Sequence, residues 1–163
     1  MNARDAIIQV NLVLTAVFAI TAAYAAAVFS TAAQWIGATT AMVLFAIGVF
    51  AFLWSYWNAV QRSRAEEIAV TQLYLLMGDA IPAPVRRTMN LTLLIQFVVA
   101  VATTLARPNG SNGSPGSSLA VGFLVPMLGF GLNGLWAAFH GNFATRKDVP
   151  TSRTEIRQNA DHG

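Results

Sequence analysis

From Ala6 to Val60 the chain runs for 55 residues without a single Asp, Glu, Lys or Arg, and Thr88–Ala106 and Leu119–Phe143 are free of the same four residue types. Soluble domains carry about 25% charged residues, whereas this chain of 163 residues carries 10% and is 55% hydrophobic. So few charges cannot clothe a surface in water, but a surface in lipid needs none. The net charge of +3 does not point to nucleic acid. The basic residues sit at the ends of the apolar runs, where anionic headgroups lie. With no cysteine, disulfides, thiolate metal sites and Cys nucleophiles are excluded.

The apolar runs predict four transmembrane helices, over residues 7–29, 35–60, 88–106 and 119–143. Ile7–Phe29 reaches about 34 Å at the helical rise, enough for a hydrocarbon core of about 30 Å. It is longer than a signal-peptide core and is expected to stay as an anchor. Ser30–Gln34 is too short for anything but a tight antiparallel hairpin. Trp35 marks the entry of the second span, and Trp54, Tyr56 and Trp57 mark its exit, as aromatic side chains do at the headgroup level. Ala19, Ala23 and Ala27 form a four-spaced ridge that suits close helix packing; plain alanine filler is the alternative. Asn109–Ser118 is a flexible hydrophilic loop, and Pro126 should kink the fourth span.

Gln61–Arg87 is the one long polar interruption. Ser63-Arg64-Ala65-Glu66 fits a capping box ahead of an apolar run, which predicts a short cytoplasmic interfacial helix over residues 64–77. Gly78 is a natural stop, and Pro82 and Pro84 oppose continuation. The expected fold class is therefore all-α integral membrane. It comprises four transmembrane helices in two hairpins plus this interfacial helix, without strands, in one domain over residues 1–146. Residues 147–163 form a polar cytoplasmic tail. Arg4, Arg62, Arg64, Arg86, Arg87, Arg146, Lys147, Arg153 and Arg157 fall on one side of this arrangement and only Arg107 on the other. That asymmetry predicts both termini in the cytoplasm.

The spans carry no Asp, Glu, Lys or Arg, which counts against an ion- or proton-coupled carrier. No catalytic, cofactor or metal residues are assigned. His140, with Asn133 and Asn142, could make a polar edge, although a lone His near an interface is usually just hydrated. The amides of Gln9, Asn11, Asn90 and Gln96 are expected to bond neighbouring helices, each contributing roughly 0.6–2 kcal/mol. Gly122 and Gly129 lie seven apart, and Gly134 and Ala138 make a small-xxx-small pair. This face would seat another helix closely, either within the chain or from a partner subunit. The partner reading takes Gly129, Gly134 and Leu75 of the middle helix as the contact.

Leu73-Tyr-Leu-Leu-Met-Gly-Asp79, Pro84-Val-Arg-Arg87, Ala106-Arg-Pro108 and Gly122–Trp136 resemble a family of small four-span actinobacterial membrane proteins, over roughly residues 65–146. The chain also resembles the four-span accessory subunit of a mycobacterial MCE-type lipid importer. That resemblance implies a non-catalytic accessory or stabilising subunit of a larger complex, a lipid-transport permease in the bacterial plasma membrane, with no cofactor. It transfers no functional residue. A small self-assembling pore and an integral-membrane enzyme are the alternatives. The topology is directly testable in a chain that lacks cysteine: Asn112→Cys should react with an impermeant thiol reagent applied from outside, and Ala65→Cys should not. The reverse labelling pattern would sink the orientation.

Overall fold

The structure, a computed structural model, describes residues 3–110, 113 and 116–146; the tail expected over residues 147–163 lies outside the described residues. In chain order the elements are α1 (Ala3–Val28), α2 (Thr31–Arg62), β1 (Glu66–Glu67), α3 (Val70–Tyr74), α4 (Ala83–Ala106), a 3-10 helix (Ser118–Leu124), α5 (Pro126–His140) and β2 (Ala144–Thr145). Among the described residues four helices are long and apolar enough to cross a membrane: α1, α2, α4 and the fourth span, which joins the 3-10 helix to α5. The fold is all-α apart from the two-residue pair of strands.

The α1–α2 turn is tighter than the sequence suggests. Phe29 takes a left-handed φ of 48°, and the Ser30 hydroxyl accepts a hydrogen bond from Ala33 N at 3.2 Å, capping α2. α2 therefore begins at Thr31 rather than at Trp35, while α1 ends at Val28, one residue before its expected limit. α2 has 32 residues and is about 48 Å long. Trp35, Trp54 and Trp57 are exposed on it. The 19 to 22 residues between them correspond to about 28–33 Å, the thickness of a hydrocarbon core.

Each outer helix buries one stripe. On α1 it is Asn11, Thr15, Phe18, Ala22 and Ala25; Ala23 and Ala27 face outward and Ala19 is only half-buried. The expected alanine ridge is thus not the packing face. On α2 the stripe is Gly37, Ala41, Leu44, Gly48, Ala51, Ser55 and Ala59, nearly all small. The fourth span is the central element. Half of its apolar window is buried against 22–28% for the other three, and it packs most extensively on α2. The two helices meet backbone to backbone. A Cβ on Gly48 would stand 2.6 Å from Leu128 Cα, and one on Gly131 would run into the Gly48 carbonyl oxygen.

Pro126 does not kink a continuous helix. The chain runs as 3-10 helix to Leu124, and Pro126 opens α5 at its first position, where its missing N–H costs nothing. Pro84 behaves similarly: α4 begins at Ala83 rather than at Thr88, with Pro84 in the first turn. Arg86 and Arg87 consequently ride on α4 itself.

The middle segment differs most from expectation. Ser63 does not start a helix; it ends one, with its N–H on Ala59 O and its hydroxyl donating to Val60 O at 2.8 Å. A helix with no Gly or Pro to stop it propagates to the first residue that can cap its end, which takes Ser63 out of the expected box. Glu66 and Glu67 then pair antiparallel with Thr145 and Ala144, and Arg146 N bonds Ala65 O at 2.9 Å. The expected helix over 64–77 shrinks to Val70–Tyr74. Arg62 fastens this end. Its guanidinium donates to Ala138 O at 2.7 Å and Gly141 O at 3.0 Å, pairs with Glu66 at 2.7 Å and lies over the Phe143 ring. At the opposite end Arg107 donates to Ala26 O at 3.0 Å and covers the Phe29 ring.

The Gly48–Gly131 crossing generates a prediction. Gly48→Val or Gly131→Val should destabilise the purified protein by at least the ~1–3 kcal/mol typical of overpacking, because the obstacle is backbone. Ala23→Val, on the outward face of α1, should change little. Thermal unfolding in mild detergent measures the difference.

Candidate functional site

Two sets of amides tie the span helices together. In the first, Gln96 of α4 donates to Thr15 Oγ1 at 2.7 Å and Asn11 Oδ1 at 3.3 Å, both on α1. All three side chains are buried. In the second, Asn133 of α5, fully buried, donates to Tyr74 O at 3.0 Å and Asn90 Oδ1 at 3.2 Å, while Asn90 Nδ2 donates to Leu75 O at 2.9 Å. This second set clamps the middle segment onto the end of the bundle. It fixes the backbone where Leu76, fully buried, takes a left-handed φ of 54°. The Tyr74 ring stacks on Phe52 at 4.2 Å. Burial pushes its phenol pKa above the ordinary value, against a smaller downward pull from Ser55. Gln9 faces outward and belongs to neither set.

The glycines proposed from the sequence as a partner contact lie inside the chain. A Cβ on Gly129 would stand 2.7 Å from Leu93 Cδ1 and 2.8 Å from Gln96 Oε1; one on Gly134 would stand 2.5 Å from Ser55 Oγ and 2.6 Å from Tyr74 Cε1. The glycine face is consumed by α4, α2 and the middle segment, so a partner helix cannot reach it without opening the bundle. Leu75 alone of the three stays accessible: it is half-buried and lines a groove.

That groove has a volume of about 840 Å³. One wall is α4, through Arg86, Asn90, Leu93, Leu94 and Phe97, a spacing that places them on one helical face. The facing wall is the fourth span, through Phe123, Leu124, Pro126, Met127 and Phe130, again one face. Phe45 of α2 adds to the lining, and Leu75, Met77 and Gly78 close the end near Arg86. At the remote end the Phe97 and Phe123 rings meet edge to face at 6.3 Å. Arg86 is half-buried and donates to Gly78 O at 2.9 Å. Both wall spacings are readable in the sequence, but so is every other apolar face of these spans. Nothing in the pattern alone tells an open face from a closed one.

His140 lies elsewhere. It packs on Trp136 with ring centroids 5.5 Å apart, and it borders a small polar cleft of about 410 Å³ with Asn58, Arg62 and Asn142. Asn133 does not join it, so the expected polar edge of His140, Asn142 and Asn133 is split between two places. Among the described residues no three His, Cys, Asp or Glu side chains cluster in a way that could hold a metal ion.

Compared with protein-family models, with curated proteins and with solved structures, the chain matches none of them, and none of these comparisons supports the resemblance to actinobacterial or MCE-associated proteins. The amide clamp can be tested without knowing the function. Asn133→Ala should cost roughly 1–3 kcal/mol, as expected when bonded partners are left buried and unpaired. It should also speed limited proteolysis in Tyr74–Gly78 more than in Arg62–Glu67, where Arg62 still holds the chain.

Proposed function

We propose that this chain is a non-catalytic accessory subunit of a larger membrane complex, and that the complex moves lipid. The observation that carries the reading is the groove between α4 and the fourth span. Its volume of about 840 Å³ lies within the roughly 300–1,000 Å³ of small-molecule sites. Its walls are apolar along the spans and its one charged group, Arg86, stands at one end, a distribution that matches a molecule with a polar head and an apolar tail. Accessible apolar faces of α2 and α4, including Phe50, Leu53, Leu91 and Leu94, supply area for lipid or for a partner's helices.

In this reading the arginine-rich end, with Arg62, Arg64, Arg86, Arg87 and Arg146, faces the cytoplasm of a bacterial plasma membrane. The partner is a lipid-transport permease of the MCE type, the complex whose four-span accessory subunit this chain resembles. Purification in gentle detergent at native expression, followed by mass spectrometry, should recover the chain with a larger membrane complex. A chain that elutes alone or only as a homo-oligomer would remove the subunit reading. His140→Ala should leave cellular function near normal. Complete loss with normal expression would favour an enzyme instead.

A further inference from the structure

We infer that the groove takes one acyl chain of an anionic phospholipid, drawn from the leaflet at the arginine-rich end, with the lipid phosphate on Arg86. This deepens the lipid-handling reading above and rests on it. Three observations favour this occupant over a partner's helix. The first is depth. From Arg86 to Phe97 is 11 residues along α4, about 16 Å, or half of a hydrocarbon core of about 30 Å. The Phe97–Phe123 ring pair ends the groove there. A transmembrane partner would need a surface continuing through the other leaflet, whereas an acyl chain of one leaflet fits the half-depth.

The second observation is charge. Arg62 and Arg107 are engaged, the former by two carbonyls, Glu66 and the Phe143 ring, the latter by Ala26 O and the Phe29 ring. Among the described residues Arg86 has only Gly78 O, and the one ion pair is Arg62–Glu66. Asp79, next to Gly78, is exposed and makes no ion pair with Arg86. Arg86 also sits in the first turn of α4, where the helix end already carries positive partial charge and a cation is unfavourable. A phosphate there satisfies the free guanidinium N–H groups and offsets both positive charges. The third observation is the absence of competing donors. Asn90, the other polar side chain of the groove, is tied to Leu75 O and Asn133, which leaves the rest of the lining apolar.

Native mass spectrometry of the purified full chain, offered an equimolar mixture of phosphatidylglycerol and phosphatidylcholine, tests this. Wild type should retain one phosphatidylglycerol in preference by about fivefold, the effect of one cation near the headgroup plane. Arg86→Gln should abolish the preference, while Arg86→Lys should keep most of it and the exposed Arg87→Gln should keep all of it. Leu94→Trp, which fills the groove, should lower retention of both lipids. Equal retention of the two lipids by wild type would overturn the proposal even if Arg86→Gln fails to fold. So would an equal loss from Arg86→Gln and Arg87→Gln, complete displacement by millimolar inorganic phosphate, or a polypeptide found in the groove. Loss of copurification with lipid preference intact would count against the subunit reading alone. Copurification without any lipid preference would count against this inference alone.

Discussion

The contact on which the bundle depends is the crossing of α2 and α5, where Gly48 and Gly131 bring two backbones together. Lipid tails are as apolar as leucine, so span helices gain nothing by hiding apolar surface from lipid. They associate through close packing and interhelical hydrogen bonds. Close packing needs small residues on both sides. α2 supplies them along its whole length, from Gly37 through Ala41, Gly48, Ala51 and Ser55 to Ala59, and α5 supplies Gly131 and Gly134 opposite. With α5 seated that deeply, almost every one of its faces is covered. The remaining spans then have only one stripe each to bury.

The amides add direction to this packing. An amide in hydrocarbon without a partner is costly, so Gln96 against Asn11 and Thr15 fixes the rotation of α4 relative to α1. Asn133 does something different. It reaches out of the span to the backbone at Tyr74, the last residue of α3, and through Asn90 it holds Leu75, where that helix ends, as well. Irregular backbone beside a membrane must find its hydrogen bonds within the protein. The middle segment finds them here and in the short pairing of Glu66–Glu67 with Ala144–Thr145.

Fold class was legible because it follows from hydropathy and length, and the spans differ from their expected limits by only a few residues. What could not be read was which small-residue face mattered. Ala19, Ala23 and Ala27 look like a packing ridge, yet Ala23 and Ala27 point outward and Ala19 is only half-buried, while the α2 stripe is interrupted by Leu44 and reads as ordinary apolar sequence. The Gly129 and Gly134 face reads as a close-approach surface, but a sequence cannot say whose backbone fills it. The middle segment is ambiguous in the sequence for a local reason. Ser63 satisfies two rules at once, an N-cap with Glu66 three residues on and a C-cap on an uninterrupted helix. Arg62 decides between them by anchoring Ala138 and Gly141, 76 and 79 residues away. No local pattern encodes that contact.

The groove follows from the same constraints. Gly129 seats Leu93 and Gln96 directly on the α5 backbone, drawing the inner faces of α4 and α5 together. One residue on, Phe130 presents a large ring, and Met127 and Phe123 continue that row. A pair of helices close on one side and propped by bulky side chains on the other encloses a furrow along its outer face. The 3-10 helix before Pro126 lengthens the furrow, because it rises about 2.0 Å per residue against about 1.5 Å in an α-helix. Asn90 then belongs to both the clamp and the groove. The hydrogen bonds that hold the middle segment in place also set the boundary between the apolar trough and the Arg86 end. Loosening the clamp and altering the groove are therefore one physical change, and a substitution that spares the fold has to act at Arg86 or at the outward side chains of Leu94 and Phe97 rather than at the amides beneath them.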